Sequence, residues 1–150
     1  MPGQAPEPLT PLPLDPGEAD LRDLLGACQL PVSDIGCSEQ VFWGVRPRAG
    51  PLIGCIALEL CGADAILRSL AVASNWRQQG VAKQLLDSAV AGGRQRNLRT
   101  LYLLTETAES YFARHGFQPV ARDQVPEPVK RTPQFSQICP ESAAVMKMDL

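Results

Sequence analysis

The run ILRSLAVASNWRQQGVAKQLL, residues 66–86, decides how the rest of the chain is read. It belongs to a stretch, Ala65 to Ala73, that is nearly continuous in aliphatic residues except for Arg68 and Ser69, the pattern of an interior strand. It ends in a segment where Val81, Ala82, Leu85, Leu86, Ala89 and Val90 share one side, while Lys83, Gln84, Asp87 and Ser88 share the other. That is an amphipathic helix. Between the two stands R-x-x-G-x-[GA], here Arg77, Gly80 and Ala82. A strand, a short turn and a helix start in this order aim unpaired backbone N–H groups and the positive helix end at one point. Gly80 and Ala82 carry little or no side chain, so an anion can approach the amides of residues 78–82 closely. On these letters alone a phosphate cradle and a plain first helical turn both stand. Neither G-x-x-x-x-G-K-[ST] nor G-x-G-x-x-G is present, so a Walker loop and a dinucleotide fingerprint are excluded.

Upstream, Leu9 to Leu14 reads as a first strand after a proline-rich tail, residues 1–7, expected to be flexible. Asp15, Pro16 and Glu18 resemble a capping box, and Leu21, Leu24, Leu25 and Cys28 keep helical spacing until Pro31, which predicts a helix over 16–29. Residues 41–45, 52–60 and 65–73 then predict three strands joined by short turns, an antiparallel meander. Downstream, Gly92 and Gly93 each cost about 1 kcal/mol against alanine inside a helix, so the helix after the motif is expected to end or loosen there. Strands are expected at 100–105, 117–120 and 143–149, with a short helix at 108–114 stopped by Gly116. Residues 121–142 show no clear regular pattern, and a loop of that length reads either as a lid over a site or as chain packed onto the sheet. The whole predicts one α/β (α+β) domain over 1–150: a mixed, mostly antiparallel sheet of six to seven strands with helices on both faces.

The 150 residues carry 45% hydrophobic content, a formal net charge of −2 and an isoelectric point near 5.4. Basic residues are scattered and form no stripe, which argues against a nucleic-acid partner and for a small molecule. No apolar run approaches the roughly 18 residues of a membrane span, and residues 1–14 lack an export pattern. The five cysteines, 28, 37, 55, 61 and 139, are odd in number and form no CxxC pair, so reduced thiols, a cytoplasmic setting and no metal site are expected.

Three segments carry a resemblance: ILRSLAVASNWRQQGVAKQLL (66–86), LYLLTETAESYFARHGF (101–117) and QFSQICPESAAVMKMDL (134–150). In order and spacing they resemble the GNAT superfamily of N-acetyltransferases, and more narrowly the N-acetyltransferases of bacterial arsenic-resistance operons. The resemblance implies acetyl-CoA as cosubstrate. Its pyrophosphate would rest on the amides of Gln78, Gln79, Gly80, Val81 and Ala82, and its pantetheine arm would pair with Leu70, Ala71 and Val72. It implies acetyl transfer to the amine of a small molecule by direct attack in a ternary complex, the acceptor being amino-acid-like or an organoarsenical. Monomer and homodimer are both compatible with it.

The chain departs from that family at two places. The tyrosine that many members carry four residues before the Gly-Phe pair is Phe112 here, at the cofactor side, and the asparagine at the end of the preceding strand is Thr105. Tyr111 is the neighbouring candidate proton donor, but adjacent helical residues point about 100° apart. Both departures leave room for an acyl-CoA-binding sensor without catalysis, and a protein N-acetyltransferase shares the same cofactor motif. Candidate bases are Glu59, Glu106 and a water held by backbone carbonyls. Arg68, a charge on an apolar strand, must find a partner or reach a cleft, as a clamp for a substrate anion or as one half of a structural ion pair. Ser136, in the long loop, is the second candidate on the acceptor side, and His115 reads as a solvated turn residue.

Overall fold

The computed structural model describes residues 9–36, 39–133, 135 and 142–150. In chain order the elements are β1 (Leu12–Leu14), α1 (Ala19–Ala27), β2 (Gln40–Val45), β3 (Gly54–Cys61), β4 (Asp64–Val72), α2 (Val81–Gln95), β5 (Thr100–Thr105), α3 (Glu109–Arg114), β6 (Gln118–Pro119), α4 (Glu127–Lys130) and β7 (Ala144–Asp149). The seven strands form one sheet in the order β1-β2-β3-β4-β5-β7-β6. All neighbours are antiparallel except β4 and β5, which run parallel.

Side-chain alternation along the strands splits the core into two faces. Ile56, Leu58, Ala65, Leu67, Leu101, Leu103 and Met146 point to one face and pack with Val81, Leu85, Leu86 and Ala89 of α2 and with Phe112 of α3. That face is apolar throughout. The opposite face is divided. At one end Phe42, Cys55, Ala57 and Ala71 pack under Leu21, Leu24 and Leu25 of α1. At the other, Cys61, Ile66, Tyr102 and Val145 pack under Val125, Val129 and Phe135. Glu59 and Arg68 lie between the two clusters, where that face becomes ionic.

β4 is irregular where it matters. Ala57 pairs with Arg68 but Cys55 pairs with Ala71, so β4 carries one extra residue, and Ser69 takes a φ of 59°. Beyond Ile66 and Tyr102 the register of β4 with β5 ends, although both strands continue. The two strands therefore diverge into a cleft that opens towards the carboxyl ends of both.

Three expectations are corrected. The capping residue of α1 is Glu18, and Asp15 instead accepts the Gly17 N–H at 2.8 Å in a turn before the helix. Second, α2 continues through Gly92 and Gly93 to Gln95. A Cβ at Gly92 would stand 2.4 Å from the Trp43 ring, and one at Gly93 3.0 Å from Leu150, so the two glycines let the helix lie close on the sheet and its C-terminal edge. Third, the described part of the long loop folds into a 3-10 turn at Arg122–Gln124 and into α4. Its Val125, Val129 and Phe135 cover the sheet, with the Arg122 guanidinium 5.1 Å from the Phe135 ring centre, so this part packs as core. Among the described residues no helix is long and apolar enough to cross a membrane, and no group of His, Cys, Asp and Glu is placed to hold a metal ion.

Candidate active site

Two cavities occupy the cleft. The larger, about 540 Å³, is walled by Leu70, Ala71 and Val72 of β4, by Trp76, Arg77, Gln78 and Gly80 of the following loop, and by Val81, Ala82 and Lys83 at the start of α2. The loop conformation explains the motif. Gly80 is the residue before the first helical turn and takes a φ of 80°, a conformation costly for any residue with a Cβ, and Gln78 is left-handed too, at 65°. These turns present the N–H groups that begin α2, which have no partner within the helix. A Cβ at Gly80 would meet no protein atom within 4 Å. The glycine is thus favoured by its backbone angle, while no packing requires it. The Arg77 Nε donates to the Val72 carbonyl at 3.1 Å, tying the strand end to the loop. Gln79 is exposed, and its side-chain amide donates to the Asn75 carbonyl at 3.5 Å.

The smaller cavity, about 270 Å³, shares Leu30, Leu70 and Tyr111 with the larger one. Its walls are Leu30 and Pro31 after α1, Leu67 to Leu70 of β4, Leu103 to Thr105 of β5, and Thr107, Ala108, Tyr111 and Phe112. Arg68 sits in this wall with its side chain 1% exposed. Its two terminal nitrogens both donate to the Asp34 carboxylate, Nη2 to Oδ1 at 2.6 Å, while Nη1 also reaches Glu59 Oε1 at 3.0 Å and Nε donates to Ser69 Oγ at 3.2 Å. Burial alone would push the guanidinium down, but the two carboxylates raise it overall, so it stays charged. The structural ion pair is what the described residues form here. Glu59 lies behind Arg68 and, among the described residues, lines neither cavity. It is therefore corrected from candidate base to buried partner: a carboxylate bonded to a guanidinium and shut off from the cleft cannot reach an attacking amine.

A family model for the acetyltransferase (GNAT) domain matches residues 38–119, more than half of the chain. The chain belongs to the GNAT acetyltransferases. Among curated proteins it is 36% identical over 123 residues to the amino-acid acetyltransferase of Azotobacter vinelandii, covering 73% of this chain and 28% of that one. It spans between a fifth and a third of the length of the curated relatives it matches. Among solved structures it superposes on a GNAT-family acetyltransferase from Staphylococcus aureus with a TM-score of 0.74 at 17% identity, over 94% of this chain and 98% of that chain. It superposes equally, TM-score 0.74 and 18% identity, on N-acetylglutamate synthase from Neisseria gonorrhoeae complexed with coenzyme A and N-acetyl-glutamate, over 96% of this chain and 36% of that one. The curated relatives carry amino-acid acetyltransferase names, and none of these comparisons points to the narrower arsenic-operon group.

Within this GNAT frame the tyrosine shift takes a definite form. Phe112 is 7% exposed and packs edge-on to Phe117 with ring centres 5.7 Å apart. It belongs to the core and touches the smaller cavity, with no place in the wall of the larger one among its described lining residues. Tyr111 is half-buried and stands between the cavities, its ring centre 4.5 Å from that of His115. Burial first, then the neighbouring Asp87 carboxylate, push its phenol above the ordinary value, so it holds its proton at neutral pH. Thr105 accepts the Ala108 N–H at 3.0 Å just ahead of α3 and lines the smaller cavity. Ser136 lies outside the described residues.

Sequence reasoning missed Asp34, Cys28, Lys83 and His115, of which the last three line the larger cavity. For Asp34 no local signal exists, since 34 residues separate it from Arg68. For the Glu59–Arg68 pair a signal does exist. The turn that sets Cys61 opposite Asp64 also sets Ala57 opposite Arg68, which puts Glu59 on the diagonal from Arg68 on one face.

Proposed function

We propose that this domain, over residues 1–150, transfers an acetyl group from acetyl-CoA to the amine of a small molecule by direct attack in a ternary complex. The observation that carries the proposal is the larger cavity, in which Gln78, Gly80, Val81 and Ala82 and the divergent strand 70–72 line one space. Acetyl-CoA, when bound, supplies a thioester whose acyl carbon gains the C–N bond as the C–S bond breaks. The amides of Gln78, Gly80, Val81 and Ala82 hold the pyrophosphate, with the Gln79 amide as a fifth donor from the same turn. Leu70, Ala71 and Val72 pair with the pantetheine arm, and an N–H at the β4 bulge polarises the thioester carbonyl.

Tyr111, placed between the cavities and protonated at neutral pH, gives its proton to the leaving thiolate and regains one, through water, from the nitrogen that has attacked. Among the described residues no carboxylate and no imidazole lines the smaller, acceptor cavity, so the ammonium of the acceptor loses its proton to water before attack. The free thiols of Cys28, Cys55 and Cys61 support a reducing, cytoplasmic setting.

The arsenic-operon resemblance and the amino-acid acetyltransferase relatives nominate amino-acid-like amines and organoarsenicals as the first acceptors to test. The experiment is thiol release from acetyl-CoA against a panel of amines that includes arsenical and phosphinic amino acids. Release with at least one acceptor is expected, and its absence across the panel contradicts transfer. One observation favours a second reading: at the position where the GNAT resemblance implies a tyrosine, Phe112 is buried in the core. Tight coenzyme A binding without thiol release for any amine would assign a sensor instead.

A further inference from the structure

The acceptor cavity holds one basic side chain, and that side chain is already paired twice. Among the described residues Arg68 is the only Lys, Arg or His in its wall. Its guanidinium meets Asp34 through both terminal nitrogens and Glu59 through one, and all three side chains are at least nine-tenths buried. One positive group thus faces two negative ones. Residues 1–8, 37–38, 134 and 136–141 contain no lysine, arginine or histidine, and the last of these segments brings Glu141. The rest of the described wall is five leucines with Pro31, Ala108 and Phe112, and the hydroxyls of Ser69, Thr105, Thr107 and Tyr111. At about 270 Å³ the cavity falls below the usual range of small-molecule sites, roughly 300–1,000 Å³.

We infer that the acceptor brings no carboxylate of its own: the cavity selects a small, largely apolar primary amine over an α-amino acid. The inference rests on the transfer reading above and names its substrate class. A carboxylate entering this space would lose its hydration among leucines and would meet a cation that already gives three of its N–H donors to two anions and one to Ser69 Oγ. An ammonium entering the same space meets a wall backed by the excess negative charge of Asp34 and Glu59. The substrate class therefore departs from the one that the relatives' names declare.

The test uses matched triplets that differ only at the carboxylate: leucine, its methyl ester and isopentylamine, then phenylalanine, its methyl ester and phenethylamine. Two signals are read on the full chain, kcat/KM by thiol release and binding to the coenzyme A-loaded protein by calorimetry. The expected result is a preference of about tenfold or more for the amine over the amino acid in each triplet, with the ester on the amine's side. The decarboxylated amine is the more basic member, so less of it is free base at a given pH, and its advantage cannot come from deprotonation. An amino acid that equals or beats its amine overturns the inference and leaves acetyl transfer standing. With thiol release from no member, the calorimetric ranking decides the selectivity alone, absence of binding by every member counting against it, while transfer itself stands or falls on the wider amine panel. Glu59→Gln removes one of the two anions and is expected to shrink the amine-to-amino-acid ratio about tenfold. Should that variant not fold, Asp34→Asn reads the same ratio, and a ratio unchanged in a folded variant overturns the role of the excess charge.

Discussion

The two cavities meet at Leu70 and Tyr111, yet they are made of different materials. The donor side is largely backbone: a loop with Gly80 at φ 80°, the first amides of α2 and the free edge of β4. The acceptor side is built from side chains, with a buried Asp34–Arg68–Glu59 network gathered from a loop and two strands. A backbone site tolerates most side chains and depends on conformation. A side-chain site depends on each partner, so its specificity and its contribution to stability are inseparable.

That contrast can be broken most severely at Arg68. Arg68→Met leaves two carboxylates buried without a cation and is expected to lower stability by about 3–5 kcal/mol, out of a total of about 5–15, read as a shift of the urea midpoint. Replacing all three members by apolar residues of similar volume is expected to recover most of that loss. A single variant as stable as the parent would show that the network is not a unit.

Tyr111→Phe is the next largest. It is expected to lower kcat about a hundredfold, the low end of what a positioned proton donor contributes, with acetyl-CoA affinity within about twofold. The pH profile sharpens the point. Because burial raises the Tyr111 phenol, its proton-donating form is complete below the ordinary value of about 10 and is lost only as pH rises through the still higher folded value. The parent kcat should therefore decline in the alkaline range, and the variant should lack that decline. An unchanged rate in the variant would leave thiolate departure to water.

Gly92→Ala tests the apolar face, away from both cavities. Alanine gains about 1 kcal/mol of helix propensity, but its methyl group collides with the Trp43 ring, so a net loss of about 1–2 kcal/mol in stability is expected, with kcat/KM unchanged. A stabilised variant would mean that Trp43 can move aside.

How far the fold could be read from the sequence follows the same division. The strand, loop and helix of 66–95 lie within one local pattern, so β4, the motif and α2 were all legible, as were β5 and the stop at Gly116. The passage of α2 through Gly92 and Gly93 was not, because the reason lies 49 residues away in Trp43. The bulge at Ser69 was hidden because a serine in the left-handed region gives no compositional sign. The acceptor side was hardest. Arg68 announced that a partner was needed, Glu59 was reachable through hairpin arithmetic, and Asp34 was set by tertiary packing alone.

The central claim is that a glycine-dependent backbone cradle at 78–82 holds acetyl-CoA. It is tested most directly by calorimetric titration of acetyl-CoA into the parent chain and into Gly80→Glu, with thermal melting of both. The account predicts saturable one-site binding by the parent and a loss of about a thousandfold, roughly 4 kcal/mol, in a variant that still melts cooperatively. Equal affinity in the two proteins, or no binding by the parent, would contradict it.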